Sequence, residues 1–61
     1  MTDVNRIRVM IVEDDPDWRR GLAAYINSQP DMSTVAEADT AENALQRAGE
    51  VNPDVILLDI M

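Results

Sequence analysis

Two short segments constrain the fold more strongly than any other feature of this sequence. The segment 8–12 is mainly apolar and rich in β-branched residues, and residues 55–58 form an uninterrupted aliphatic run. Apolar runs of this length are typical of strands that are buried on both faces, as in a parallel sheet. Each run ends abruptly in carboxylates, with Glu13 and Asp14 after the first and Asp59 after the second. The sequence therefore predicts two strands that both lead into acidic residues, the first of them buried on both faces.

A helix is predicted directly after the first acidic residues. Asp15 can cap its N-terminus, and Pro16 suits its first position because proline has no N–H to satisfy there. Four large side chains then recur at helical spacing and form one predicted face: Trp18, Leu22, Tyr25 and Ile26. The helix is expected to end within residues 27–31, since Pro30 disfavours helix in the residue before it.

A second strand and a second helix complete the pattern. Residues 33–38 are a weaker strand candidate, and Asp39 or Thr40 can cap the following helix. Gly49 is a natural stop for that helix, and residues 52–54 form a further break before the last strand. The predicted buried face of that helix consists mostly of small residues: Ala41, Ala44, Leu45 and Ala48. The order β-α-β-α-β predicts an α/β fold with a parallel sheet and right-handed crossovers.

The carboxylates at the strand ends predict a site. In open α/β sheets, ligands bind at the carboxyl ends of the strands, where the strand order reverses. If the first and third strands are neighbours, Glu13, Asp14 and Asp59 converge there, and a hard cation such as Mg²⁺ would relieve their repulsion. A carboxylate beside such an ion can accept a phosphoryl group, and Asp59 is the best candidate because it stands alone after the most apolar strand. Asp59 alone, or Glu13 and Asp14 alone, could equally well be polar loop residues that happen to follow a strand. Their occurrence together at the ends of two strands favours a functional site.

Composition excludes several classes of protein. The 61 residues include twelve acidic and five basic side chains, with a net charge of −7 and neither Lys, Cys nor His. Direct nucleic-acid binding is disfavoured because phosphate contacts need basic side chains. The sequence has no apolar run near the roughly 20 residues that a membrane span needs, and residues 1–8 do not read as a signal peptide. We therefore expect a soluble, cytoplasmic protein without membrane contacts.

Three segments of the chain resemble the receiver domain of bacterial two-component response regulators. Residues 9–16 are similar to its first strand and acidic loop, residues 35–45 to its second strand and helix, and residues 53–61 to its phosphoacceptor strand. The resemblance covers nearly the whole chain from Arg8 onward. It implies a flavodoxin-like, chemotaxis-type fold with strand order 2-1-3, of which residues 1–61 would form the N-terminal half.

The same resemblance assigns roles to individual residues. Asp59 would be phosphorylated, and Glu13 and Asp14 would be the acidic pair, with Asp14 the more direct Mg²⁺ ligand. The backbone carbonyl of Met61 would complete the protein's share of the metal ligands. Glu13 stands where aspartate is commoner, so its longer side chain is expected to contact the metal through water.

The resemblance also implies partners and an output. We expect a phosphoacceptor module and not a turnover enzyme, with a sensor histidine kinase or a phosphotransfer protein as its partner. The segment 24–38 resembles the branch of the receiver family that usually carries a helix-turn-helix output domain. Such a domain is expected to control transcription, and it is absent from this chain. Receivers hold the phosphoryl group with a hydroxyl residue after the fourth strand and a lysine after the fifth, and both are absent from residues 1–61.

Functions other than phosphotransfer are considered because the resemblance covers only the N-terminal half of a receiver domain. An uncovered third strand predicts a homo-oligomer, because exposed apolar edges pair with other chains. A pseudo-receiver that binds or dimerises without phosphotransfer is the main alternative. The absence of the hydroxyl and lysine residues favours it, and the retention of all three acidic residues disfavours it. A phosphohydrolase with a strand-end aspartate is disfavoured because Met61 stands where such sites carry a second aspartate. A P-loop enzyme is disfavoured because the glycine-rich loop is missing, and the chain has only Gly21 and Gly49.

Two residues near the acidic loop have competing interpretations. Trp18 could line the site or a partner surface, but a partly buried packing role is favoured for a large aromatic residue. Arg19, like Arg20, could contact a partner, but a solvated helix face is the favoured interpretation.

Overall fold

Three strands and two helices alternate along the chain in the computed structural model, which describes residues 5–59. The elements are β1 (Ile7–Glu13), α1 (Pro16–Asn27), β2 (Met32–Ala38), α2 (Ala41–Val51) and β3 (Val55–Asp59). The strands form one parallel sheet in the order β2-β1-β3. The predicted α/β fold and its strand order are confirmed.

The core consists of two layers that share the central strand β1. Val9 and Ile11 face α1, and Met10 and Val12 face α2, because successive side chains of a strand point to opposite faces. The α1 layer is completed by Ala23 and Ile26, and the α2 layer by Ala36, Ala38 and Ala44. This double burial explains why β1 is apolar without the alternation of a half-exposed strand.

Both helices begin as the capping residues predict. The side chain of Asp15 accepts hydrogen bonds from the backbone N–H groups of Asp17 and Trp18, and Pro16 occupies the first position of α1. Thr40 caps α2 through the N–H of Asn43, whereas Asp39 instead accepts a bond from the Asn43 side chain. Within residues 5–59, neither helix has the length and apolar character needed to cross a membrane.

The predicted end of α2 at Gly49 is wrong. The helix continues to Val51, and Asn52 ends it in the left-handed conformation, with φ 49° and ψ 65°. Asparagine tolerates this conformation, and Pro53 directly after it disfavours further helix. Gly49 therefore lies in the ordinary body of the helix.

Replacing Asn52 with alanine is expected to lower the free energy of unfolding by about 1 kcal/mol, since an L side chain other than asparagine or aspartate is strained at positive φ. The Asn52→Gly variant is the matched control and is expected to be at least as stable as the parent, because glycine adopts positive φ freely. Urea unfolding followed by circular dichroism measures both. An alanine variant as stable as the glycine variant would contradict the left-handed cap.

Four of the eight residues on the predicted helix faces are exposed, namely Trp18, Tyr25, Ala41 and Leu45. Tyr25 on α1 and Leu45 on α2 both lie outside the core layers. The residues that do pack on the sheet from these helices are smaller or lie one position away, such as Ala23, Ile26 and Ala44. The helical spacing was correct, but the face that meets the sheet is narrower than the apolar pattern.

Strand β3 is much less covered than the other two strands. Its four apolar residues, Val55, Ile56, Leu57 and Leu58, are between 37% and 64% exposed. Among residues 5–59, β3 pairs only with β1, and neither helix packs on it, because α1 and α2 both lie over β1 and β2. An apolar strand with one unpaired edge and two open faces is thus part of the surface of this chain.

Candidate functional site

The sheet register brings two of the predicted acidic residues side by side. In the parallel pairing of β1 with β3, Glu13 lies directly opposite Asp59 at the carboxyl end of both strands. Asp14 follows Glu13 in the loop before α1 and is exposed. The carboxylates of Glu13 and Asp59 therefore meet at one edge of the sheet, with Asp14 next to them.

Glu13 is the buried member of this group, with only 2% of its surface exposed. Its Oε2 accepts a hydrogen bond of 2.9 Å from the backbone N–H of Asp15. That bond is the largest single influence and lowers the pKa of Glu13, but burial and the nearby carboxylates of Asp14 and Asp59 outweigh it and raise the pKa above its usual value. Glu13 thus retains its charge less readily than an isolated glutamate, which is the situation that a bound cation would relieve.

An open cleft of about 810 Å³ lies over these residues. Its walls come from the end of β1, the following loop, the first turn of α1 and the end of β3. The residues lining it are Glu13, Asp14, Asp15, Pro16, Asp17, Trp18 and Asp59. Five of the seven carry carboxylates, so the cleft is strongly negative and suited to a cation.

Trp18 lies at the mouth of the cleft and contacts Asp59 directly. Its indole Nε1–H donates a hydrogen bond of 2.6 Å to Oδ2 of Asp59. Because 57% of Trp18 is exposed, the favoured interpretation as a packing residue is wrong, and Trp18 instead lines the acidic cleft. The sequence signal was its place in the first turn of α1, which begins beside the strand ends.

Arg19 is not on a solvated helix face. Its Nη1 donates a hydrogen bond of 2.8 Å to the backbone carbonyl of Glu13, and its Nε lies 3.4 Å from Oε1 of Glu37 on β2. The guanidinium group therefore ties the start of α1 to the ends of β1 and β2. Arg20 is exposed, as predicted. Sequence reasoning missed Arg19 because both of its partners come from other elements.

A family model described as "Response regulator receiver domain" matches residues 9–61 of the chain. This chain belongs to the response regulator receiver family. The match extends over both strands that carry the acidic residues, so the cleft described above lies within the receiver.

Curated relatives of this receiver are regulatory proteins of bacteria. The chain is 40% identical over 55 residues to the transcriptional regulatory protein LiaR of Bacillus subtilis, a match that covers 90% of the chain and 26% of LiaR. It is 36% identical over 56 residues to the transcriptional regulatory protein DegU of Brevibacillus brevis, covering 92% of the chain and 24% of DegU. It is 34% identical over 55 residues to the response regulator protein VraR of Staphylococcus saprophyticus, covering 90% and 26%.

The chain spans about a quarter of the length of these curated relatives. No solved structure shows a significant match to it.

The receiver's acidic residues suit Mg²⁺ by their chemistry. All candidate ligands are oxygen atoms, which hard cations prefer, and burial together with the neighbouring carboxylates of Asp14 and Asp59 raises the pKa of Glu13. Within residues 5–59, however, no three acidic side chains are arranged as a set of metal ligands. Oε2 of Glu13 is bonded to the Asp15 N–H and Oδ2 of Asp59 to Trp18. The predicted carbonyl ligand, Met61, lies outside the described residues.

Proposed function

We propose that this chain is the phosphoacceptor part of a receiver in two-component signal transduction, and that Asp59 accepts the phosphoryl group. The observation that carries the proposal is the register that pairs Asp59 with buried Glu13 at the floor of an acidic cleft. Asp59 itself is only partly buried, so a donor can reach it. A carboxylate oxygen of Asp59 would attack phosphorus, the bond between phosphorus and the donor would break, and an aspartyl phosphate would form.

The proposal includes Mg²⁺, held by Asp14, Asp59, the Met61 carbonyl and, through water, Glu13. The engagement of Glu13 with the Asp15 N–H supports an indirect role for that side chain. When bound, the ion supplies positive charge that offsets the repulsion between an anionic phosphoryl group and the carboxylates of the cleft. The protein's own contribution is to hold those carboxylates together through the β1–β3 pairing.

The proposed partners follow from the family and from the charge of the chain. A sensor histidine kinase or a phosphotransfer protein would supply the phosphoryl group, in the cytoplasm. The names of LiaR and DegU support an output in transcription, carried by a part of the protein beyond residues 1–61. With a net charge of −7, this chain is not expected to bind nucleic acid itself. It acts in this proposal as a phosphoacceptor and not as a turnover enzyme.

The direct test is incubation of the 61-residue chain with acetyl phosphate, with and without Mg²⁺, followed by intact-mass measurement. We expect a gain equal to one phosphoryl group that requires Mg²⁺ and is removed by hydroxylamine, which cleaves acyl phosphates. Titration of Mg²⁺ alone is expected to change the fluorescence of Trp18, which contacts Asp59. A folded chain that binds Mg²⁺ but gains no phosphoryl group would favour the pseudo-receiver alternative.

The exposed strand β3 supports a second candidate function, self-association through a second copy of this chain. An unguarded apolar edge is a template for pairing with another strand. We expect a sedimentation mass that rises with protein concentration, and we expect Leu58→Lys to shift the equilibrium toward the monomer, because charged residues block edge pairing. Leu58 is the most exposed residue of β3.

The matched control for that experiment is Leu45→Lys, which places the same charge on an exposed leucine of α2, away from β3. It is expected to leave self-association unchanged. A parent chain that sediments as a monomer at every concentration, or an equal effect of both substitutions, would overturn the assignment to β3.

A further inference from the structure

Trp18 provides the only side-chain N–H group among the described residues that line the acidic cleft. The other lining side chains are carboxylates and one proline. Its indole donates to Oδ2 of Asp59 at 2.6 Å and not to Oδ1. The two oxygens of the proposed phosphoacceptor are therefore not equivalent.

The backbone that carries Trp18 is fixed by contacts independent of Asp59. Oδ1 of Asp15 accepts the N–H of Trp18 at 3.1 Å and holds the first turn of α1. The next residue, Arg19, donates a hydrogen bond to the backbone carbonyl of Glu13, and Glu13 is the direct neighbour of Asp59 in the sheet. Both ends of the Trp18–Asp59 bond are thus attached to β1, so the bond joins two groups whose separation is set by the fold.

We propose that Trp18 is a positioning residue for Asp59: its indole N–H holds Oδ2 and so presents Oδ1 to the ligand in the cleft. The effect of Trp18 on the rate of phosphorylation rests on the proposed function, because it matters only if Asp59 reacts. A carboxylate whose rotation is restricted reaches its reactive orientation at a smaller entropic cost. The donor is neutral, so it restrains the carboxylate without introducing a positive charge beside it.

The hydrogen bond is tested first, without any reaction. Trp18 is the only tryptophan of the chain, so its indole gives a single cross-peak in a ¹H–¹⁵N spectrum. In Asp59→Ala, we expect the indole proton to move upfield and to exchange faster with solvent, because its acceptor is lost. Asp17→Ala removes an equal charge from the same cleft and is expected to leave that resonance nearly unchanged. Equal shifts in both variants would overturn the proposal.

The consequence for the reaction is tested with Trp18→Phe, which keeps an aromatic ring and removes the donor. At saturating Mg²⁺ and acetyl phosphate, we expect the initial rate of phosphorylation to fall about threefold to tenfold, the range of one ordinary hydrogen bond. Tyr25→Phe, at an exposed aromatic residue of the same helix, is expected to have no effect. An unchanged rate in Trp18→Phe would overturn the positioning role.

The two experiments separate this proposal from the proposed function. A parent chain that acquires no phosphoryl group contradicts the proposed function, while the indole resonance still decides whether Trp18 holds Asp59. A parent chain that is phosphorylated at the same rate as Trp18→Phe contradicts only the role of Trp18.

Discussion

Asp59→Asn is expected to abolish phosphorylation of this chain by acetyl phosphate. The neutral amide cannot form an acyl phosphate, since that product requires a carboxylate oxygen to attack phosphorus. The substitution is nearly isosteric, and the amide oxygen can still accept the Trp18 N–H that Oδ2 accepts in the parent. The loss should therefore reflect missing chemistry and not a disturbed fold. Intact-mass measurement after incubation with Mg²⁺ and acetyl phosphate gives the result directly.

Asp31→Asn is the matched control, because it removes the same charge from an exposed aspartate outside the cleft. It is expected to be phosphorylated at a rate close to that of the parent. If the Asp59→Asn variant gained a phosphoryl group as readily as the parent, another carboxylate of the cleft would be the acceptor. Peptide mapping after borohydride reduction of the acyl phosphate would then identify it.

The position of β1 was predictable because its burial on both faces restricts its residue types. Strand β1 lies between two helices and two strands, so each of residues 9–12 must be apolar, and a run of that kind has few alternative structures. The start of α1 was equally predictable, since Asp15 and Pro16 act locally. The strand order came from the resemblance to receivers and agrees with the observed β2-β1-β3 sheet.

The contacts around the site were harder to predict because they join distant parts of the chain. Trp18 meets Asp59 across 41 positions, and Arg19 meets Glu37 on a different strand. A helical pattern shows which residues share a face but not which neighbour that face meets. The apolar pattern of α1 therefore placed Trp18 and Tyr25 on its packing face, whereas α1 buries Ala23 and Ile26 against β1.

The sequence near the end of α2 contains two competing signals for the end of the helix. Gly49 and Asn52 are both residues that can end a helix, and the earlier one was the wrong choice. Asn52 is followed by Pro53, whose ring restricts the preceding residue, while Gly49 has no such neighbour. The combination of a residue that tolerates positive φ with a following proline is the stronger signal.

The acidic site and the core depend on the same strand. Glu13 ends β1 directly after Val12, and its position opposite Asp59 is the last step of a register that begins at Val9 and Val55. A change that loosens β1 should therefore separate the carboxylates as well as destabilise the fold. This coupling makes β1 the place where a substitution without any charge can abolish the site.

Ile11→Ala is expected to lower the free energy of unfolding by about 2–5 kcal/mol, since it removes a fully buried side chain and leaves a cavity. A chain of this length has about 3–9 kcal/mol of stability in total, at roughly 0.05–0.15 kcal/mol per residue. The variant should therefore be largely unfolded under mild urea, and its Trp18 fluorescence should no longer respond to Mg²⁺.

Ile7→Ala tests whether burial is the cause, because it makes the same change in the same strand at a residue that is 41% exposed. Its loss of stability should be less than half that of Ile11→Ala, and its response to Mg²⁺ should persist. Equal losses at the two positions would mean that β1 is not buried between the two helices as described. In that case the pairing of Glu13 with Asp59, which depends on the same strand, would no longer support the proposed site.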